Sequence, residues 1–252
     1  MVAFALISGG KVGGAQSTPL PADEDETRGQ KMLDEAITAL GGNAYLSVQD
    51  ITLSGRYYQI FNESTSGATV FVDYIKYPDK ERQELGKKKE SIIINNGDQG
   101  WEVDFRGTHA QTPEEAENYR RAQKYSLDRI LRFDLKSKKY HIYYDGTEYA
   151  EATKYDVVTL EDANREHISI LLNASTHLPA ALRYRLVDPK TKGVDKMELW
   201  YGNFQVVQGI HTPFHRDRIR NGGRISETFI NEVRYNSGLS DSLFTVRGAG
   251  SK

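Results

Sequence analysis

At Asp50 the hydrophobic period of this 252-residue chain changes from about 3.6 to two. Upstream, Met32, Leu33, Ala36, Ile37 and Leu40 recur at helical spacing. Thr27 and Gln30 have capping-box spacing at the expected start, and Gly41-Gly42 supplies a left-handed stop. Downstream, Ile51, Leu53, Gly55, Tyr57 and Gln59 alternate with Thr52, Ser54, Arg56 and Tyr58, as in a strand with unlike faces. Further strands are expected at 69–77, 82–85, 91–95 and 101–105, the last two joined as a hairpin across 96–100.

One helix interrupts the series. Thr112-Pro113-Glu114-Glu115 combines a capping hydroxyl, a proline at the first helical position and an acid at the third. The helix is expected to run, with a bend, through Leu127, Ile130 and Leu131 to about Phe133. Strands then resume around Tyr143, Val157, Ile170, Leu182, Leu199, His215 and Phe229, with turns at Asp145-Gly146, Glu161–Asn164, Asp188-Pro189, Asn221–Gly223 and Asn236–Gly238. Short turns at regular spacing predict an antiparallel meander, and the single helical interruption argues against alternating βαβ units. The fold class is therefore mainly β (α+β). About eleven strands form a sheet expected to curl into an incomplete barrel, because wide sheets rarely stay open. An N-terminal helix and an inserted helical lid would fill it. A single domain is expected over 23–247, with a tail at 248–252.

Composition narrows the function. Lys and Arg total 33 against 35 Asp and Glu, a net charge of −2, without the basic excess of a nucleic-acid binder. The sequence has no cysteine, which removes disulfides, thiol chemistry and Cys-based zinc sites. No G-x-S-x-G elbow, H-E-x-x-H, P-loop or G-x-G-x-x-G motif occurs. His211 and His215 invite a metal reading, yet four residue steps along a strand place them about 13 Å apart, too far to share one ion. Only His215 with Asp217, helped by a neighbouring strand, could hold one; an enzyme would need the same pair and a facing carboxylate in a cleft. No metal, cofactor or catalytic residue is expected. The basic runs Lys87–Lys89 and Lys136/Lys138/Lys139 read as solvated loop charge, with a docking patch or membrane-surface contact as the alternative. Residues 1–22 start with the apolar run VAFALI and contain small residues before Gln16. They read as the tail of a signal peptide or as a disordered arm.

Aromatic and branched residues gather on the early strands. Tyr57, Phe71, Ile75, Tyr77, Ile92, Ile94, Trp101 and Phe105 are the expected wall of an apolar ligand cavity. Leu127, Ile130 and Leu131 are the expected lid.

The stretch Tyr74-Ile75-Lys76-Tyr77-Pro78, then Glu90-Ser-Ile-Ile-Ile-Asn-Asn-Gly97 and Trp101, is similar to the outer-membrane lipoprotein carrier family, the Lol-type localisation factors. The closing segment Leu239-Ser-Asp-Ser-Leu-Phe-Thr-Val246 and the order of elements resemble it too. The resemblance implies a soluble periplasmic carrier, without cofactor, that shields acyl chains or a lipoprotein-like ligand and passes it to an envelope partner. A monomer is expected. It also implies an Arg immediately before the strand-ending proline, to control lid closure. Here Tyr77 stands there, able to hydrogen-bond a lid carbonyl but uncharged. The alternative is an envelope interaction module whose interior is filled.

Overall fold

A computed structural model describes residues 21–150, 152–188 and 191–246. The expected signal-peptide remnant, apart from its last residues, and the 248–252 tail lie outside the described residues. Helix α1 spans Pro21–Leu40, and α2 is the single turn Asn43–Leu46. The helix begins six residues before the expected Thr27 cap. Pro21 suits a first helical position, and Glu24, Asp25 and Glu26 favour the positive end of the helix dipole. Gly41 and Gly42 then end it at φ 133° and 56°. No described helix is long and apolar enough to cross a membrane.

Among the described residues, thirteen antiparallel strands make one sheet. They are β1 (Asp50–Phe61), β2 (Ser64–Lys76), β3 (Lys80–Leu85), β4 (Ser91–Asn96), β5 (Gln99–Asp104), β6 (Gly107–Ala110), β7 (Tyr140–Ala150), β8 (Thr153–Asp162), β9 (His167–Asn173), β10 (Pro179–Val187), β11 (Val194–Val207), β12 (Ile210–Arg220) and β13 (Gly223–Tyr235). Their order is β6-β5-β4-β3-β2-β1-β13-β12-β11-β10-β9-β8-β7. Two meanders are thus sewn together by the long-range β1–β13 pair, in which Ile51 faces Tyr235 and Leu53 faces Val233.

Two sequence expectations change. The count rises from about eleven, because the four-residue β6 is too short to show a period. The curled incomplete barrel is also wrong: the sheet is open, no pairing joins β6 to β7, and helices rather than a closing strand cover its apolar face. Asp145-Gly146 is likewise no turn between strands but a bulge inside β7, where the register slips between Tyr144 and Thr147 and Gly146 takes φ 94°.

Helix α1 lies directly on β7. A Cβ placed on Gly29 would sit 2.9 Å from the Tyr143 carbonyl carbon and 3.1 Å from the Tyr144 nitrogen. Leu33 and Ala36 follow on the same face at 0% exposure, and Arg28 stacks 3.6 Å above the Tyr144 ring. Gly29→Ala should therefore lower the unfolding free energy by about 1–3 kcal/mol, despite alanine's better helix propensity, because backbone cannot yield as a side chain can. Urea titration of the variant checks this; unchanged or increased stability would mean that the helix can lift off.

Candidate functional site between the sheet and its helical cover

After β6 the chain stands at one edge of the sheet, and β7 lies at the other. The connection must cross the sheet, and it does so as helix. Helix α3 (Pro113–Lys124) opens with the expected capping box: the Glu115 N–H donates to Thr112 Oγ1 (3.3 Å) and the Thr112 N–H to Glu115 Oε2 (2.7 Å). The expected bend is a full break at Tyr125-Ser126, where the Ser126 hydroxyl caps α4 (Leu127–Arg129). A π turn (Ile130–Asp134) and a 3-10 turn (Leu135–Ser137) complete the cover.

The cover is anchored by a buried cation. Arg132 is 1% exposed, with its guanidinium 4.1 Å from the Tyr45 ring centre, 5.3 Å from that of Tyr77 and 3.3 Å from Asp128. The Tyr45 hydroxyl donates to the same carboxylate at 2.9 Å. Tyr77, able in principle to bond a lid carbonyl, meets the cover through its ring, 5.2 Å from Phe133. No charge stands immediately before Pro78; the charged group against the Tyr77 ring is Arg132 of the cover. Of the expected lid residues, Ile130 and Leu131 are fully buried in the main core, and Leu127 packs against it.

Two adjoining cavities of about 260 and 420 Å³ lie on the covered face. Leu53, Asp73, Leu199, Arg216 and Arg218 line both. The register distributes the eight expected wall residues. Tyr57 and Phe71 line the larger cavity, Ile75 and Tyr77 the smaller. Ile92, Ile94 and Trp101 point the other way: Phe71 pairs with Leu85 and Leu85 with Ser91, so the even-numbered isoleucines of β4, and Trp101 opposite Ile94, occupy the outer face. Ile94 is buried there, where the 3-10 turn Asp241–Phe244 lies over β3 and β4. Phe105, in the turn after β5, is 94% exposed. The structure thus brings four of the eight together.

The polar wall was not anticipated, although parity along β2 carried a signal. Asp73 lies between Phe71 and Ile75 on the same face, an acid in an apolar row. Burial, and then the neighbouring Glu81 carboxyl, push Asp73 well above the usual carboxylate range. Burial raises Glu81 to about 7, opposed by its hydrogen bonds with Gln123 of α3 (3.2 Å) and with Asp73. Two carboxyls in contact away from water hold one proton between them. The sign follows from the raised folded values. The stability contributed by protonated Glu81 is complete below its ordinary value of about 4.5 and is lost as pH rises through about 7. Stability to urea should decline over that window, and Glu81→Gln should flatten the decline; an unchanged pH profile in the variant would refute the assignment.

No family model and no curated protein matches the sequence. Three solved structures are similar in fold. A DUF1329 family protein from Desulfovibrio piger ATCC 29098 superposes with a TM-score of 0.62 at 14% identity, over 86% of this chain and 97% of its own. A LolA superfamily protein from Nitrosomonas europaea gives 0.59 at 14% identity, over 86% and 97%. An outer membrane lipoprotein-sorting protein domain from Vibrio parahaemolyticus gives 0.56 at 10% identity, over 88% and 97%. The chain shares their fold.

Within this LolA-like fold, the histidine cluster sits on the outer face, away from both cavities. His215, Asp217 and, across the strand pair, Glu227 bring one ligand atom each within 4.8 Å of one another. Their partners are already local: His215 Nε2 lies 2.8 Å from Glu227, and Arg224 lies 3.2 Å from Asp217 and 3.7 Å from Glu227. A metal here would have to displace that arginine. His211 lines the smaller cavity instead, with its buried Nδ1 unpartnered. In the basic runs, Lys89 pairs with Glu84 at 2.9 Å and Lys139 with Asp134 at 2.8 Å, as charge on loops and strand ends does.

Proposed function

We propose that this chain is a soluble periplasmic carrier that shields an apolar ligand, such as the acyl chains of a lipid or lipoprotein, between its sheet and its helical cover. The observation that carries this reading is the pair of adjoining cavities on one face of the sheet, the smaller of them roofed by Ala122, Gln123 and Leu127 of the edge-to-edge helical segment. The larger, at about 420 Å³, has the volume of a small-molecule pocket, which commonly measures about 300–1,000 Å³, and the smaller extends it. Likeness of fold to a LolA superfamily protein and to a lipoprotein-sorting domain supports it. Tyr57, Phe71, Ile75 and Tyr77 would supply the wall, and Leu127, Ile130 and Leu131 the movable cover. Burying apolar ligand area at about 25 cal/mol per Å² drives uptake without any chemistry. Release to an envelope partner follows when the cover trades ligand contacts for contacts with the sheet of similar free energy.

The test uses N-phenyl-1-naphthylamine, a neutral apolar probe that brightens when sheltered from water. The protein should take it up, and Tyr57→Asp combined with Thr69→Asp should abolish uptake. These two are cross-strand partners on the wall of the larger cavity, and both are half-buried, so the fold should survive the change. Absence of uptake by the wild type, or full uptake by the folded double variant, would sink the carrier reading in favour of a filled interaction module.

A further inference from the structure

The cavity walls are not simply apolar, and their charges do not cancel. Asp128 is committed to Arg132 and Tyr45. The charged side chains left on the walls are Asp73, Glu81, Arg216 and Arg218. Asp73 is 8% exposed, and its Oδ1 has no hydrogen-bond partner. Arg216 lines both cavities with a buried, unpartnered Nε, and among the described residues it makes no ion pair. Arg218, more exposed, is also without an ion pair. The two arginines face an acid pair that holds a single proton, so one positive charge is left over. A dianion would be repelled by the acids and a cation by the arginines; a single negative charge balances the walls. Leu53, Tyr57, Phe71 and Leu85 offer an apolar channel beside these groups.

We infer that the ligand is an amphiphile with one negative charge in its head group, held at Arg216, and an apolar chain running toward Phe71 and Leu85. Guanidinium geometry suits both a carboxylate and a phosphodiester. The unpartnered Asp73 oxygen can accept a hydrogen bond from a hydroxyl on such a head group. This inference rests on the carrier reading and adds the ligand's class.

Displacement of N-phenyl-1-naphthylamine by dodecanoate, by lysophosphatidylglycerol and by the uncharged methyl dodecanoate tests it. A hydrogen bond to a buried charge predicts that at least one anion competes about tenfold or more tightly than the ester. Preference for dodecanoate alone identifies a carboxylate head, for the lysophospholipid alone a phosphodiester, and for both a response to charge. Arg216→Met should erase the preference and leave the ester unchanged, whereas Arg216→Lys should keep part of it. Equal affinities in the wild type would overturn the inference while leaving the carrier reading intact, and that comparison needs no variant to fold. Loss of ester and anion binding together in a folded Arg216→Met protein would also overturn it, by reducing Arg216 to a structural role. Failure to take up the probe at all would instead defeat the carrier reading itself, and the inference with it.

Discussion

Asp50→Ala is expected to lower the unfolding free energy by about 3–5 kcal/mol, a large share of the stability of an ordinary domain. Asp50 is 4% exposed at the start of β1, and its carboxylate accepts from three consecutive backbone N–H groups, Ser237 (2.7 Å), Gly238 (3.0 Å) and Leu239 (3.3 Å). Its own carbonyl accepts from the Asn236 N–H at 2.9 Å. One side chain therefore turns the chain after β13 and aims the last described segment along the sheet. There, Lys76 donates to the Leu239 carbonyl at 2.9 Å, Arg82 donates to that of Leu243 at 3.3 Å, and Phe244 is fully buried. Hydrogen bonds to a charged acceptor are worth about 1.5–3 kcal/mol each, though not additively, and alanine would leave all three donors without the acceptor that shapes this turn. Asp50→Asn keeps one acceptor oxygen but points an amide at an N–H, so about half the loss is expected. Guanidinium titration of both variants decides; a loss under about 1 kcal/mol for alanine would show that water replaces the carboxylate.

Arg132→Ala should cost a similar amount, about 3–5 kcal/mol, for a different reason. The visible ion pair with Asp128 is the smaller part, because that carboxylate is 35% exposed and well screened. The two ring contacts contribute about 0.5–2 kcal/mol each, and truncation of so large a buried side chain leaves a void beneath the cover. Arg132 Nε and Nη1 have no hydrogen-bond partners, which offsets part of this gain. Arg132→Met, which keeps the apolar stem and removes the unpaired nitrogens, should therefore recover at least half of the loss. Calorimetric melting distinguishes the accounts: if methionine is as damaging as alanine, charge rather than packing secures the cover.

The elements that were legible share one property, a short-range cause. A period of two is imposed by the pleat, and the strands named around Tyr143, Val157, Ile170, Leu182, Leu199, His215 and Phe229 all formed. The capping box at Thr112 is complete within four residues, so it too could be read directly. Asp145-Gly146 misled because a turn and a bulge ask for the same backbone freedom, and only the partner strand β8 distinguishes them.

Local sequence therefore determined most of what is strand and helix in this chain, β6 and the start of α1 excepted, and that its strands pair with their neighbours. Tertiary structure decided the rest. Periodicity says that a strand has two faces but not which one is covered, and register alone sent Ile92, Ile94 and Trp101 to the outer side and kept Tyr57, Phe71 and Ile75 on the face of the cavities. Whether the sheet closes depends on two edge strands that are distant in the pairing order, and β6 and β7 do not meet. The charged wall of the cavity joins Asp73 of β2 and Glu81 of β3 to Arg216 of β12, side chains more than a hundred residues apart that come together only because β1 pairs with β13. Contacts set by such a pairing leave no local trace, since each partner looks ordinary in its own strand until the sheet is assembled.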